Sequence, residues 1–244
     1  MVISASDHFV GYQRYWEVPV SEPDAVRGRW MKGPGAPLFH AVRAALGGRL
    51  PLIAEDLGAV TPAVTALRRR FGLPGTKILQ FAFGTDPQAP SFLPHNYPRR
   101  SVVYTGTHDN DTAVGWFGNP GGGGGGASDA GPEAERERQA LLRYLGSESA
   151  RDIHWQMIGA AMRSVANLAV VPVQDLLGLG SEARMNRPGT ATGNWSWRLD
   201  PGALDAAIAE RLRALLSTYG RLAPGTSSSS SSPSPVESGG GSLR

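Results

Sequence analysis

Residues 101–112 read SVVYTGTHDNDT, and the order of residue types in this stretch sets how the rest of the chain is read. A β-branched, apolar run stops at Gly106 and is followed at once by His108, Asp109, Asn110 and Asp111. That is the pattern of a buried parallel strand handing polar groups to its carboxyl end. The pattern recurs: VISASDH ends at Asp7 and His8, LPLIAED at Glu55 and Asp56, and LAVVPVQD at Gln174 and Asp175. A chain that repeatedly sets carboxylates at strand ends is building a site on one face of a sheet.

Helices fall between these strands. Pro37 sits in the first turn of one, with Leu38, Val42 and Leu46 on a single face and Gly47-Gly48 as its stop, feeding a strand over Leu50–Ala54. Thr61 is placed to cap the next, with Pro62 first, Val64, Leu67 and Phe71 inward and Gly72 as the left-handed exit. A strand over Thr76–Phe83 follows, carrying Lys77 and Gln80. Two more helices are predicted over Glu133–Leu145 and Ser149–Asn167, the second with Ile153, Met157, Ala161 and Val165 in one stripe. In the strand Leu168–Gln174, Pro172 predicts an irregularity near the end. Asp200 and Pro201 are placed to cap a last helix with Leu204, Ile208, Leu212 and Leu215 inward. The aromatic stretch FVGYQRYWEVP, the Gly/Pro-rich passage 28–37, the segment 84–100 and the Gly-, Asn- and Trp-rich segment 176–199 read as long loops. The glycine-rich insert 119–132 and the Ser/Gly-rich tail 223–244 are expected to be disordered, which leaves one catalytic domain over 1–222.

Composition narrows the function. Lys+Arg 24 against Asp+Glu 21 leaves a net charge of +3, and no basic block alternates with aromatics as a nucleic-acid groove requires. Arg68, Arg69 and Arg70 read as a solvated helix face. With no cysteine, disulfides, thiolate metal sites and cysteine nucleophiles are excluded. No apolar run approaches the ~20 residues of a membrane span, and the first residues lack the charged start and apolar core of a signal peptide. The expectation is a soluble intracellular protein with neither nucleic-acid nor membrane partners; oligomeric state is left open.

Strand and helix alternate in about five β-α units, each with polar groups at the strand's carboxyl end, the working face of a (β/α) barrel. A closed barrel of this type has eight strands. The chain therefore reads as the carboxyl-terminal part of a (β/α)8 TIM-type barrel, with its first three or so strands expected upstream of Met1. Asp7, Glu55 and Asp109 would converge at the barrel mouth from three strands. Glycoside chemistry uses such a set: a carboxylate nucleophile, a carboxylic acid to protonate the leaving oxygen, and further negative charge near an oxocarbenium-like transition state. Trp16, Trp30, Trp116 and Trp195 could stack on sugar rings while His8, Asp56, His108 and Asn110 meet the hydroxyls. Any single tryptophan is more often core than subsite, and position on loops after strands favours Trp16 and Trp116 as subsites. DNDT fails as a calcium loop, since Val114 and Pro120 stand where a glycine and a bidentate glutamate are needed. His8 and His108 beside aspartates leave a divalent-metal hydrolase as a competing reading; the favoured one carries neither metal nor cofactor.

The longer motifs are more specific. DHFxGxxxYW, GRWxxGPG, IAEDLGxxTPxV, FGLPGxKxLQFAF, LPHNY, VVYTGTHDNDT and RMNxPGTxxGNWxWR, in this order from about Ile3 to Leu216, resemble the 4-α-glucanotransferases known as amylomaltase or disproportionating enzyme. The resemblance implies a glycosidase barrel and transfer of α-1,4-glucan segments between maltooligosaccharides with retention, without a metal in the chemistry. It implies Asp7 as nucleophile, Glu55 as general acid/base and Asp109 as transition-state stabiliser, with His108 on the sugar hydroxyls. One departure stands out. Where the family carries an arginine two residues before the nucleophile, this chain has Ala5, and Val10 replaces a second arginine. Losing that cation is expected to weaken a nucleophile that must be ionised; a misplaced exon start or truncated gene model would account for it and for the missing strands. The homopolymeric Gly and Ser runs suit a GC-rich gene, which leaves a plastid role in starch or maltose metabolism open beside a cytoplasmic one. A truncated chain that binds glucan without turning it over is the remaining alternative.

Overall fold

The computed structural model describes residues 4–118 and 131–222. The chain opens on strand β1 (Ser4–Ser6), passes through a single-turn helix α1 (Val10–Gln13) and returns as a hairpin of β2 (Arg14–Glu17) and β3 (Arg29–Lys32). Helix α2 (Gly35–Ala45) leads to β4 (Leu52–Ala54), α3 (Pro62–Arg70) to β5 (Gly75–Ile78), and a series of 3-10 turns to β6 (Ser101–Tyr104). Then come α4 (Ala113–Gly118), α5 (Pro132–Leu145), α6 (Ile153–Met162), β7 (Leu168–Val170), α7 (Val173–Leu177) and α8 (Ala206–Thr218).

Outside the hairpin the strands form one parallel sheet in the order β1-β4-β5-β6-β7. With its crossover helices this is an α/β half-barrel, as the strand-end pattern predicts. Register sets the site. Ser6 lies opposite Ala54, Ile78 opposite Tyr104, and Tyr104 opposite Val170, so the residues that follow these strands emerge at one end of the sheet.

Helix α3 shows the local logic. Thr61 accepts a hydrogen bond from the Val64 amide at 3.4 Å and Pro62 opens the helix, a cap worth about 1 kcal/mol. Val64 and Leu67 then join Phe9, Phe39, Ala54 and Leu73 in one core cluster, and burial of each large side chain contributes roughly 1.5–3 kcal/mol. Gly72 leaves the helix at φ +64. A second cluster packs Leu79 and Phe83, from the turn after β5, with Trp116 of α4, Leu141 of α5 and Ile153 and Met157 of α6.

Several expectations are corrected. FVGYQRYWEVP is not a loop: it supplies α1 and β2, and Trp30 lies in β3, because Trp16 and Trp30 pair across an antiparallel ladder. Gly33 packs so close to α1 that a Cβ there would stand 2.5 Å from the Gly11 and Tyr12 carbonyl oxygens. The strand from Thr76 ends at Ile78 and becomes a 3-10 turn over Leu79–Ala82, which lets Gln80 reach across to the Asp111 carbonyl at 2.8 Å. The strand from Leu168 ends at Val170, and Pro172 caps α7, so Gln174 and Asp175 lie on a helix rather than at a strand end. Pro172 cannot donate to a ladder, yet it can stand before a helix.

In α2 the inward residue is Phe39 and Leu46 is exposed. Helix α6 stops at Met162, leaving Val165 exposed. The last helix is capped by Asp205, which accepts from the Ile208 amide at 2.8 Å, and Leu204 is exposed ahead of it. Arg68 is no solvated residue: its guanidinium pairs with Asp56 at 2.8 Å, both side chains nearly buried. The glycine-rich insert ends before Gly131 and Pro132, which open α5. Its residues 119–130, and the tail 223–244, lie outside the described residues.

Candidate active site

Asp7, His8 and Phe9 wrap around Glu55. Phe9 is fully buried and its amide donates to the Glu55 carbonyl at 3.0 Å, while the Glu55 amide donates back to Ser6 at 3.1 Å. His8 adopts a left-handed backbone, φ 50, unusual for a side-chain-bearing residue. That conformation aims its amide at the Glu55 carboxyl, with N to Oε2 at 2.5 Å. Burial, foremost, pushes the Glu55 pKa up to about 7; the His8 amide opposes the rise, and the negative charges of Asp7 and Asp109 add to it.

Asp109 comes from the turn after β6. Asn110 makes that turn: it is buried, and its Oδ1 accepts from the amide and the hydroxyl of Thr107, each at 2.9 Å. Gly106 leaves room for Gln80, since a Cβ there would stand 2.7 Å from Gln80 Nε2. Asp109 Oδ1 receives Asn186 Nδ2 at 2.5 Å and lies 3.3 Å from His108 Nε2. Beneath the turn, Asp175 is buried and holds the Ala113 amide at 2.7 Å and the Thr105 hydroxyl, tying β6, α4 and α7 together.

These residues open onto a cavity of about 670 Å³ lined by His8, Glu55, Gln80, Phe81, Asp109 and Trp116 among others. The volume is in the range of small-molecule sites. A smaller cavity of about 250 Å³ lies behind the turn, lined by His108, Asp175, Arg184 and Trp195 among others.

The predicted residues divide. Glu55 and Asp109 face the cavity together with His8 and Asn110; Asp7 is exposed and does not line it, and its negative charge acts on Glu55. His108 turns toward the smaller cavity, its ring 5.0 Å from that of Trp195. Trp116 is 4% exposed and packs on Phe83, so it serves as core and floor at once. Two residues are displaced from the expected role. Asp56 is spent on structure, holding Arg68 and the Thr76 amide at 2.9 Å. Trp16 stands on the hairpin against Trp30, outside the cavity, its indole donating to the Ala25 carbonyl at 2.8 Å.

Gln80, Phe81, Asn186 and Arg184 were not singled out from the sequence as site residues. Gln80 carried the one usable signal, a polar residue inside an apolar run. Asn186 and Arg184 reach Asp109 from 77 and 75 residues away, and no local pattern records that. Among the described residues no group of three or more His, Asp or Glu side chains is arranged to hold a metal ion, so the metal-hydrolase reading gains no support from the geometry. No helix among them is long and apolar enough to cross a membrane.

Comparison with known proteins adds a second line. Residues 5–204 match the family model described as 4-alpha-glucanotransferase. The chain is 50% identical over 223 residues to a 4-alpha-glucanotransferase of Thermus thermophilus, covering 88% of this chain and 42% of that protein. It is 46% identical over 220 residues to the chloroplastic/amyloplastic 4-alpha-glucanotransferase of Solanum tuberosum, covering 88% and 35%. Among solved structures it resembles the amylomaltase from Streptococcus agalactiae in complex with acarbose, at 30% identity and a TM-score of 0.78, covering 89% of this chain and 41% of that one. The amylomaltase from Corynebacterium glutamicum, at 19% identity and a TM-score of 0.63, shares the fold. The chain thus spans about two-fifths of the length of the proteins it matches.

Proposed function

The chain belongs to the 4-alpha-glucanotransferase family, and from that premise we propose that its site transfers α-1,4-glucan segments between maltooligosaccharides or starch-derived glucans by a retaining double displacement. The observation that carries the reading is Glu55, half-buried in the cavity wall beside Asp109, accepting from the His8 amide, with its pKa raised to about 7 by burial and the charges of Asp7 and Asp109. A carboxyl group that still holds its proton near neutrality can act as a general acid.

Glu55 gives its proton to the glycosidic oxygen as that bond breaks. Asp7 attacks the anomeric carbon from the opposite face and forms a β-glycosyl ester. The shortened glucan leaves, the 4-hydroxyl of a second glucan enters, and ionised Glu55 takes its proton as the ester is displaced. Asp109 meets the ring hydroxyls and the positive charge that develops at the anomeric carbon. Transfer rather than hydrolysis follows where the acceptor side is apolar; Phe81, 39% exposed, and Trp116 supply such surface in the cavity. A plastid site of action belongs to the same proposal, supported by the chloroplastic/amyloplastic relatives of Solanum tuberosum and Arabidopsis thaliana.

Incubation with maltotriose, with products separated by size, tests the reading. Glucose together with a ladder of longer maltooligosaccharides is expected; unchanged maltotriose overturns it for this chain. One observation favours a second reading: Ala5, paired with Ile53 in the sheet, brings no cation toward Asp7. If that lack is decisive, the chain is retarded on an amylose gel without turning glucan over.

A further inference from the structure

We propose that Asn186 is the positioning residue for Asp109, the anchor of a clamp formed by residues 181–195 over the turn after β6. The proposal rests on the glucan-transfer reading for its kinetic consequence and on geometry for its existence.

The clamp touches that turn at three residues, His108, Asp109 and Asp111. The Asn186 amide donates to the His108 carbonyl at 3.1 Å, and its side-chain Nδ2 donates to Asp109 Oδ1 at 2.5 Å. Arg184 donates to the Asp109 carbonyl at 2.5 Å and, through Nε, to the Asn186 carbonyl at 2.8 Å. Asn110 closes the turn on itself, and Ser181 donates to Asp111 Oδ2 at 2.7 Å. Trp195 completes the clamp. Its amide donates to the Met185 carbonyl at 2.7 Å, its backbone sits at φ 61, and its ring lies 5.0 Å from the His108 imidazole.

A non-glycine residue at positive φ costs energy that the surrounding contacts must offset, and such residues cluster where side-chain direction is functionally constrained. Three non-glycine residues have positive φ among those described: His8, Asp152 and Trp195. Two of them flank this site.

The Asp109 side chain is 47% exposed. Packing alone therefore does not hold it. A carboxylate on a solvated turn rotates about its last torsion, whose profile is broad, and a rotating carboxylate is a poor fixed charge for a transition state. Asn186 removes that freedom through a charge-assisted bond to Oδ1. With Oδ1 held, Oδ2 keeps one direction relative to the cavity, and stabilisation of developing charge depends on such preorganisation. The chemistry of asparagine suits the task. It donates without bringing a charge of its own, so it orients Asp109 without neutralising it.

The test has two arms, both on the full chain. In the first, ¹H–¹⁵N spectra follow the Asn186 side-chain amide. Its two protons are expected to be widely split, one shifted downfield by the Asp109 carboxylate, with the splitting lost in Asp109→Ala. A pair at the ordinary free-amide position in the wild type overturns the proposal, whatever the activity. The second arm measures maltotriose disproportionation. Asn186→Ala is expected to lower kcat about 10²-fold, the order of loss that follows a misplacement of ~1 Å, with KM within about threefold and thermal midpoint little changed. Asn186→Asp, which keeps the shape and removes the donor, is expected to fall at least as far. A wild-type kcat in Asn186→Ala, beside an inactive Asp109→Asn, overturns the positioning role. If the wild-type chain leaves maltotriose untouched while the amide pair is split, the transfer reading fails and the Asn186–Asp109 contact stands.

Discussion

The carboxyl ends of β4 and β6 both bring an acid to the same cavity, and they surround it differently. At β4, Glu55 meets one amide donor, from His8, and otherwise faces burial and two other acids. Its next neighbour, Asp56, points the other way and is enclosed by Arg68 and the Thr76 amide. At β6, Asp109 sits on an exposed turn and is met by Asn186 and His108. The lesson concerns cause. Desolvation beside like charge keeps a proton on a carboxyl group, whereas donors hold a carboxylate in place. A retaining glycosidase mechanism needs one acid of each kind.

The largest effect comes from removing the acids. Asp7→Asn or Glu55→Gln should lower disproportionation of maltotriose by about 10³-fold or more; near-normal rates in either variant would remove the assignment. Next is the locked neighbour. Arg68→Ala takes the ion-pair partner from the nearly buried Asp56, leaving it the Thr76 amide and the charge of Lys77, and should cost about 3 kcal/mol in chemical denaturation. If Asp56 is structural, turnover per folded molecule stays close to wild type; a specific loss of turnover would return Asp56 to the site.

A pH series then sharpens the contrast at β4. Because Glu55 is raised in the folded state, the rate should fall on the alkaline side with an inflection near 7, and that limb should vanish in Glu55→Gln. The same group affects stability. The folded chain binds this proton more tightly than the unfolded one, so its contribution is greatest below the ordinary carboxyl range and is lost as pH rises through about 7. Glu55→Gln should accordingly melt above the wild type at pH 8 and hold no such advantage at pH 4.

Two smaller effects complete the comparison. Ser181→Ala removes a donor to Asp111 and should cost about 1 kcal/mol in stability. Trp16→Ala removes an aromatic that stands outside the cavity and should leave maltotriose turnover within about twofold. A large rise in KM for Trp16→Ala would extend the glucan path onto the hairpin.

What the residues announce locally, they announce well. Thr61-Pro62 marks the start of α3 because the cap and the first helical position are neighbours in sequence, and Gly72 marks its exit for the same reason. The apolar runs ending in DH, ED and THDN identify strand ends and hence the acids. Failures occur where a distant partner overrides local propensity. The run from Thr76 to Phe83 reads as one strand, but Gln80 finds its partner at Asp111 and the chain turns to meet it. FVGYQRYWEVP reads as a loop because the other half of its ladder begins twelve residues after Glu17, at Arg29. Asp200 reads as a cap, and Asp205 takes the role by reaching Ile208.

The amino-acid sequence by itself determined that strands alternate with helices in a parallel α/β half-barrel, and that Asp7, Glu55 and Asp109 follow strand ends, since periodicity, caps and motif order are written over a few residues. Only the tertiary structure decided which acid has its pKa raised, which is bound up with an arginine and which is met by an asparagine 77 residues away. Burial and the neighbourhood of charges are properties of packed elements, and they acquire values once β1, β4 and β6 stand side by side.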